Sequence, residues 1–166
     1  SSDGTIEFLK NKIQNKVDKI IYNEKNFGKG YSVRKGIAEC NGEIIVIQDA
    51  DLEYDPKEIK NLLEPIKQGY ADVVFGSRFI SSKSRRVNLY WHSLANYILT
   101  LFSNMLTNLN LSDMEVGFKV FKTEKIKSIK LYENRFGFEP EITAKIAKKK
   151  LKVYEIGVSY NGRGYD

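Results

Sequence analysis

Residues 43–53 read Glu-Ile-Ile-Val-Ile-Gln-Asp-Ala-Asp-Leu-Glu, an apolar run that ends in closely spaced carboxylates. The unbroken run Ile44–Ile47 predicts a strand that is buried on both faces of a mostly parallel sheet, which indicates the α/β class. In open α/β sheets, ligands bind in the crevice outside the carboxyl ends of the strands. We therefore expect Asp49 and Asp51, which follow this strand, to face a ligand site.

The acidic residues after this strand predict a metal site. Asp49 and Asp51 are separated by one residue, and two carboxylates this close repel each other unless they share a cation. A hard ion such as Mg²⁺ or Mn²⁺ suits these oxygen ligands, and Glu53 can supply a third. The alternative is that Asp-Ala-Asp only ends a strand, because short acidic triplets are common. The buried strand before it and the turn over 54–56 that leads into a helix favour the metal site.

The composition limits the class of protein and of partner. A chain of 166 residues with 42% hydrophobic residues is long enough to bury a core, so we expect one ordered domain. Its 27 Lys and Arg against 21 Asp and Glu favour anionic partners such as nucleotides, phosphates or an acidic membrane surface. We find no nucleic-acid-binding signature and expect no nucleic acid partner. The single Cys40 excludes an internal disulfide and suits a reducing cytoplasm.

Strand and helix patterns alternate on both sides of the 44–47 run. A predicted strand over 19–23, a glycine-rich turn over 26–30 and a helix that ends at Asn41-Gly42 complete one βαβ unit with it. The glycines either receive phosphate at the helix N-terminus or serve only as turn residues. Their spacing matches neither the Walker nor the dinucleotide fingerprint, so both interpretations stay open. The run 71–76 predicts the next strand.

A long segment without any charged residue runs from Val87 to Ser112. Its polar residues argue against a transmembrane helix, because they are spaced at multiples of four and form one stripe: Asn88, His92, Asn96, Asn104 and Asn108. We expect an amphipathic helix over 88–109 whose wide apolar face packs on the core or, alternatively, lies against a bilayer surface. Core packing is the commoner arrangement.

The C-terminal part of the chain predicts three more elements. They are a strand over 116–121, a helix that begins at Glu139-Pro140-Glu141, and a final strand over 153–160. The two glutamates are interpreted as first-turn acids that complement the positive end of the helix dipole. Five lysines lie between positions 145 and 152. Three roles stay open for them: they are simply solvated, they complement the helix dipole, or they bind anionic lipid.

The residues named above resemble the motifs of family-2 glycosyltransferases. The motifs run through the whole chain in the family's order, and the general ones are Ser1–Thr5, Asn26–Gly36, Gln48–Glu53 and Gly76–Arg78. Three others narrow the resemblance to the polyprenyl-phosphate glycosyltransferases, the subgroup of dolichol-phosphate mannose synthase: Trp91-His92, Asp113–Lys119 and Tyr160–Arg163.

The resemblance implies a GT-A fold. We expect residues 1–166 to be a single, partial GT-A domain in which the first strand and the first acidic motif of the family are missing. The implied activity is inverting, metal-dependent transfer of a sugar from a nucleotide diphosphosugar, based on GDP or UDP, to a polyprenyl phosphate such as dolichyl or undecaprenyl phosphate. The implied location is cytoplasmic, peripheral at the cytoplasmic face of a membrane.

The resemblance also implies roles for individual residues. The metal, Mg²⁺ or Mn²⁺, would be held by Asp49, Asp51 and Glu53. The donor diphosphate would be held by Asp49, Asp51 and Arg163, and the acceptor phosphate by Arg78, His92 and Asn96. The catalytic residues would be Arg78 and Asp113. A phosphate oxygen is already anionic at neutral pH, so Arg78 should matter more than a base, and Asp113 either orients a neighbouring group or accepts a proton.

Three other functions are compatible with parts of this pattern. A family-2 transferase that acts on a polysaccharide or another hydroxyl acceptor would need a true base, which would be Asp113. A phosphatase of the Asp-x-Asp type is disfavoured, because Glu53 stands where that chemistry usually has Thr or Val. Outside the enzymes, the chain could be an inactive, truncated module that binds a nucleotide sugar or a membrane surface. Turnover of the donor with and without polyprenyl phosphate separates these functions.

Overall fold

The computed structural model describes residues 3–80, 86–87 and 89–162. The helices in this part of the chain are α1 (Thr5–Phe8), α2 (Lys29–Glu39), α3 (Ile59–Lys67), α4 (Tyr90–Thr107), α5 (Thr123–Lys127) and α6 (Phe138–Lys148). The strands are β1 (Ile44–Ile47), β2 (Val73–Ser77), β3 (Lys119–Lys122) and β4 (Val153–Gly157). Helix α1 continues into a π-helix over Leu9–Ile13 and a 3₁₀ turn over Gln14–Lys16, and the 3₁₀ turn Pro56–Glu58 precedes α3.

The strands form one mixed sheet in the order β1-β3-β2-β4. Strands β1, β2 and β4 point the same way, but β3 runs antiparallel to both of its neighbours, so only β2 and β4 pair in parallel and the sheet is mixed. Lys119, the first residue of β3, lies opposite Ile47 at the end of β1 and opposite Phe75 in β2. The amino end of β3 therefore meets the carboxyl ends of β1 and β2 at one edge of the sheet.

The core lies between the sheet and helices α3 and α6. Its fully buried side chains come from the strands, from the segment just before β3 and from the inner faces of these helices. They include Leu62, Val73, Val74, Phe75, Phe118, Val120, Phe121, Phe138, Ile142 and Ile146. The start of helix α3 is stabilised in two ways. Pro56 stands at the first position of the preceding turn, and the Asp55 carboxylate accepts the backbone N–H of Lys57. This packing holds the carboxyl ends of β1 and β2 in fixed positions.

The prediction of a strand over residues 19–23 is wrong, because this segment has no regular secondary structure. A strand is defined by its hydrogen bonds to a neighbour, and within the described residues the sheet consists of β1 to β4 only. The predicted strands over 116–121 and 153–160 are present but shorter, as β3 and β4. Residues 116–118 instead approach the edge of the sheet as a buried, irregular segment.

Helix α4 lies the opposite way round from the predicted core packing. The middle of the polar stripe faces the protein, where Thr100 and Ser103 are buried and Asn96 and Asn104 are partly buried. Asn88, at the start of the predicted stripe, lies outside the described residues. Large apolar side chains on the other side are exposed: Trp91, Ile98, Phe102, Met105 and Leu106. Within the described residues, no helix is both long enough and apolar enough to cross a membrane.

The inward polar stripe of α4 is explained by its hydrogen bonds to the loop before β3. The Asn104 amide donates to the carbonyl of Leu111 at 2.7 Å and accepts the N–H of the same residue at 3.1 Å. The Thr100 hydroxyl accepts the N–H of Met114 at 3.3 Å. These side chains pair backbone groups that an apolar helix face would leave unsatisfied.

Candidate functional site

The Asp49 carboxylate belongs to a chain of alternating charges at the shared edge of the sheet. The Lys29 ammonium lies 2.9 Å from Asp49 Oδ2 and 3.0 Å from Glu139 Oε1. Glu139 also pairs with Lys119, and both of these side chains are buried. Lys119 in turn donates to the carbonyl oxygen of Val116 at 2.6 Å. Burial alone would lower the pKa of Lys29, but Glu139 and Asp49 outweigh it and raise that pKa, so the ammonium stays charged.

Gly117 allows the Asp49 carboxylate to lie against the backbone of the segment before β3. A Cβ atom at this position would come within 2.7 Å of Asp49 Oδ2 and 3.0 Å of the Tyr54 ring. The Gly117 N–H donates to the Tyr54 hydroxyl at 3.2 Å. Only glycine therefore fits here without displacing Asp49.

The residue between the other two predicted metal ligands, Asp51 and Glu53, has an unusual backbone conformation. Leu52, which is 92% exposed, adopts a left-handed conformation with φ of 61°, which is uncommon for a residue with a side chain. Asp51 Oδ1 accepts the N–H of Glu53 at 3.4 Å. The Glu53 carboxylate turns toward Tyr160 and accepts its hydroxyl at 3.3 Å. Backbone strain of this kind is concentrated at functional sites in proteins.

The donor set suits a divalent cation only in part. No group of three or more His, Cys, Asp or Glu side chains able to hold a metal is found among the described residues, so Glu53 does not complete a cluster with Asp49 and Asp51. Mg²⁺ and related ions are commonly held by one or two carboxylates while water and phosphate oxygens complete the coordination. Asp49 and Asp51 fit that chemistry, and their assignment as metal ligands stays a prediction.

Arg78 emerges just after β2 and forms a two-point ion pair with Asp113. Its Nε donates to Asp113 Oδ2 and its Nη2 to Asp113 Oδ1, each at 2.7 Å. The Arg78 N–H also donates to Asp113 Oδ2, at 3.1 Å, and Nη2 donates to Asn96 Oδ1 at 3.3 Å. Burial would lower the pKa of Arg78, but the hydrogen bonds and the charge of Asp113 raise it. Asp113 is fully buried, and both of its carboxylate oxygens are engaged.

The three residues predicted to bind the acceptor phosphate line one cavity of about 410 Å³. The cavity is lined by Arg78, Phe79, His92, Ala95, Asn96, Leu99, Glu115 and Tyr160. The Asn96 Nδ2 atom is buried and has no hydrogen-bond partner among the described residues. The guanidinium carbon of Arg78 lies 5.4 Å from the centre of the Tyr160 ring, which stacks a cation on an aromatic face.

Sequence reasoning missed several charged residues of the site. Lys29 was treated as part of a glycine-rich turn, Glu139 as a helix-dipole acid, and Glu115 only as a member of a motif. Burial, and then the charge of Glu139, raise the pKa of Glu115. The sequence does show Lys29 between two glycines and Glu139 beside Pro140. Neither pattern indicates which residue the side chain pairs with. Arg163, predicted at the donor diphosphate, lies outside the described residues.

Several curated proteins are similar to this chain at 24–28% identity. A dodecaprenyl-phosphate galacturonate synthase of Rhizobium johnstonii is 24% identical over 145 residues, covering 87% of this chain and 41% of that protein. A dolichyl-phosphate beta-glucosyltransferase of Trichomonas vaginalis is 28% identical over 172 residues, covering 97% and 51%. A dolichol-phosphate mannosyltransferase of Pyrococcus furiosus is 28% identical over 147 residues, covering 87% and 41%. The chain thus spans about half the length of these relatives.

Solved structures with a similar fold include glucosyl-3-phosphoglycerate synthase of Mycobacterium tuberculosis. The match has a TM-score of 0.63 and 16% identity, and it covers 89% of this chain and 50% of that one. The complex of that enzyme with Mn²⁺, uridine diphosphate and phosphoglyceric acid matches with a TM-score of 0.62 and 14% identity, covering 82% and 47%. At these identities the likeness concerns the fold alone, and it confirms the predicted GT-A-like α/β fold.

The family model for glycosyl transferase family 2 matches residues 1–130. The match extends from the N-terminal motif through the Asp49 strand and beyond Lys119, so it includes most residues of the site described above. It confirms the resemblance drawn from the sequence motifs. The chain belongs to glycosyl transferase family 2.

Proposed function

We propose that the protein transfers a sugar from a nucleotide diphosphosugar to a polyprenyl phosphate, with inversion at the sugar and with Mg²⁺ or Mn²⁺ as cofactor. The observation that carries this proposal is the 410 Å³ cavity that brings Arg78, His92 and Asn96 together. Arg78 follows β2 and Asp49 follows β1, and both strands end at the same edge of the sheet. A lipid phosphate held in the cavity would therefore lie near a donor held at Asp49.

Asp49 and Asp51 would hold the divalent cation on the diphosphate of the donor. A bound cation neutralises the charge that develops on the leaving nucleoside diphosphate when the anomeric C–O bond breaks. Lys29 keeps its positive charge beside Asp49, so it limits the repulsion between the carboxylates and an incoming diphosphate. The absence of a side chain at Gly117 leaves the Asp49 carboxylate the room to take this position.

The nucleophile would be an oxygen of the acceptor phosphate, which is anionic at neutral pH and needs no general base. It needs charge compensation and a fixed position, which a guanidinium in a rigid ion pair supplies. We assign Asp113 to holding Arg78 rather than to accepting a proton, because its two oxygens already hold the guanidinium. The buried Asn96 amide, through its Nδ2 atom, is a second donor for a phosphate oxygen.

The donor nucleotide, a GDP- or UDP-sugar, is assigned to a larger cavity of about 710 Å³ on the other side of Lys29. Aromatic rings suited to stacking on a base line it, and so do the positive charges of Lys25, Lys29 and Arg135. Lys29 connects this cavity with Asp49. Arg163 lies outside the described residues, and its role at the diphosphate stays a prediction.

The exposed apolar side of α4 is assigned to the cytoplasmic face of a membrane. Its side chains lie on the face of the helix opposite the polar stripe that faces the protein, so they could enter a bilayer surface while His92 and Asn96 face the cavity. We expect binding to vesicles that contain phosphatidylserine to weaken as salt is raised. Leu106→Glu should reduce co-sedimentation, whereas Tyr70→Glu, at an exposed position on another part of the surface, should not. No binding at low salt would contradict this assignment.

Turnover of the donor with and without polyprenyl phosphate tests the proposed reaction. We expect release of nucleoside diphosphate from the intact protein to depend on both Mn²⁺ and the lipid phosphate. Turnover with a polysaccharide or polyol acceptor instead would favour the hydroxyl-acceptor enzyme. Nucleotide-sugar binding without turnover on either acceptor would identify a binding module.

A further inference from the structure

The side chain of Glu155 binds the backbone of Asp113, the residue whose carboxylate pairs with Arg78. Glu155 is in β4, and its carboxylate accepts four hydrogen bonds from two consecutive residues. The Ser112 N–H lies 2.9 Å from Oε1 and 3.0 Å from Oε2, and the Ser112 hydroxyl lies 3.0 Å from Oε1. The Asp113 N–H donates to Oε1 at 3.1 Å. Glu155 therefore binds the backbone of the residue that holds Arg78.

The loop that carries Asp113 is held from three sides. Strand β4 holds it through Glu155, and β2 holds it through a 2.6 Å hydrogen bond between the hydroxyls of Ser77 and Ser112. Helix α4 holds it through Asn104, which pairs with both backbone groups of Leu111. A loop fixed in this way presents the Asp113 carboxylate in one orientation.

Only an acceptor satisfies the groups around Glu155. The Ser112 N–H, the Ser112 hydroxyl and the Asp113 N–H all donate to Oε1, and the Ser112 N–H also approaches Oε2. A glutamine could keep its oxygen at the position of Oε1, but it would lose the negative charge and place its NH₂ group against the Ser112 N–H. The position is electrostatically costly, because burial raises the pKa of Glu155 and the nearby charge of Asp113 acts in the same direction. The hydrogen bonds from Ser112 and Asp113 offset part of this cost, but the pKa of Glu155 stays above its ordinary value.

We propose that Glu155 is a positioning residue that sets the orientation of Arg78 through the Ser112–Asp113 backbone. The part of this inference that concerns the acceptor rests on the proposed function, since it takes Arg78 to bind the acceptor phosphate. The part that concerns Arg78 itself rests only on the geometry. Two measurements separate these parts.

The first measurement is the NMR signal of the Arg78 Nε–H group in the intact protein labelled with ¹⁵Nε-arginine. In the native protein, the hydrogen bond to Asp113 should protect this proton from exchange with water. Glu155→Gln should speed its exchange at least about tenfold, because the variant loses the negative charge that the donors of Ser112 and Asp113 bind and sets an NH₂ group against the Ser112 N–H. Glu124→Gln is the matched control, since Glu124 lies on the exposed surface. Unchanged Arg78 exchange in Glu155→Gln would overturn the proposal.

The second measurement is a double-mutant cycle on the Michaelis constant for polyprenyl phosphate. Glu155→Gln should raise this constant about three- to tenfold in the native background and less than about twofold in an Arg78→Ala background. Equal effects in both backgrounds would mean that Glu155 supports only the fold, which overturns the proposal. If Arg78→Ala itself leaves the constant unchanged, the acceptor site is wrong, and the exchange measurement alone decides the role of Glu155. Glu155→Asp, which keeps the charge but shortens the side chain, replaces Glu155→Gln if that variant does not fold.

Discussion

Asp49 and Asp113 both form ion pairs at the same edge of the sheet, but they differ in what else can reach them. The Asp49 side chain is 32% exposed and pairs through one oxygen with Lys29. The Asp113 side chain is 0% exposed, and both of its oxygens bind Arg78. A partly solvated carboxylate can accept another ligand, whereas a buried one with two engaged oxygens cannot do so without breaking its ion pair.

The comparison shows that surroundings, rather than residue type, separate a ligand-binding carboxylate from a supporting one. Both aspartates lie in family motifs and were assigned to chemistry on that basis. In the structure, Asp49 belongs to a chain of ion pairs that runs through Lys29 and Glu139 to the buried Lys119. Asp113 pairs with Arg78, which lines the 410 Å³ cavity.

The largest expected effect concerns the metal motif. Asp51→Asn should reduce turnover on the order of 10³-fold, because charge stabilisation by a metal ion contributes several kcal/mol to the transition state. Far-ultraviolet circular dichroism should remain unchanged, and Asp18→Asn, at an exposed position, should keep full activity. Activity that persists in EDTA would contradict the assignment of Asp49 and Asp51 as metal ligands.

The next effect is on stability, and it concerns the buried end of the charge chain. Glu139→Ala leaves the buried Lys119 without its carboxylate, and breaking a buried ion pair in this way costs about 3–5 kcal/mol of unfolding free energy. Urea denaturation measures the loss. Glu124→Ala, which breaks an exposed pair with Lys125, should cost less than about 1 kcal/mol. Similar losses in the two variants would show that the buried pair has no special structural role.

Arg78→Ala tests the acceptor side of the comparison. Loss of a charge-assisted contact to the phosphate should cost about 1.5–3 kcal/mol, which is roughly ten- to hundredfold in acceptor efficiency. Donor binding, measured by calorimetry with the nucleoside diphosphate and Mn²⁺, should barely change. Arg135 lies in the wall of the larger cavity, so Arg135→Ala should weaken donor binding and leave acceptor efficiency nearly unchanged. A variant of Arg78 that loses donor affinity and keeps its acceptor response would favour the hydroxyl-acceptor enzyme.

The smallest expected effect is a pH-dependent stability caused by Glu115. The pKa of this residue is influenced by Glu139 and Lys119 on one side of the site and by Arg78 and Asp113 on the other. Burial raises its pKa above the ordinary value of 4.5, so the folded state favours the protonated form. Relative to Glu115→Gln, the native protein should be equally stable below the ordinary value and should lose stability as pH rises through the raised pKa. Thermal unfolding of both proteins from about pH 4 to about pH 8 measures this difference. A constant difference over that range would show that Glu115 is solvated.

The local pattern of the sequence was sufficient for the elements that lie nearest to the site. The β-branched run 44–47 predicted a strand that is buried on both faces and followed by carboxylates. Strand β1 occupies this run, but only Ile45 and Ile47 are buried, whereas Ile44 and Val46 are partly exposed. The motifs around it predicted the family and the GT-A fold. They also predicted that Arg78, His92 and Asn96 belong together, and these three residues line one cavity. Such predictions succeed because strand periodicity and motif spacing are properties of neighbouring residues.

Tertiary structure decided how these elements are used. Helix α4 has an amphipathic pattern, but only the Leu111 and Met114 backbone groups explain why its polar side faces inward. Glu139 looks like an ordinary first-turn acid until Lys29 and Lys119, both far away in the chain, approach it. Hydrogen bonds and ion pairs of this kind join residues that become neighbours only when the strands pair, so no local pattern in the sequence records them.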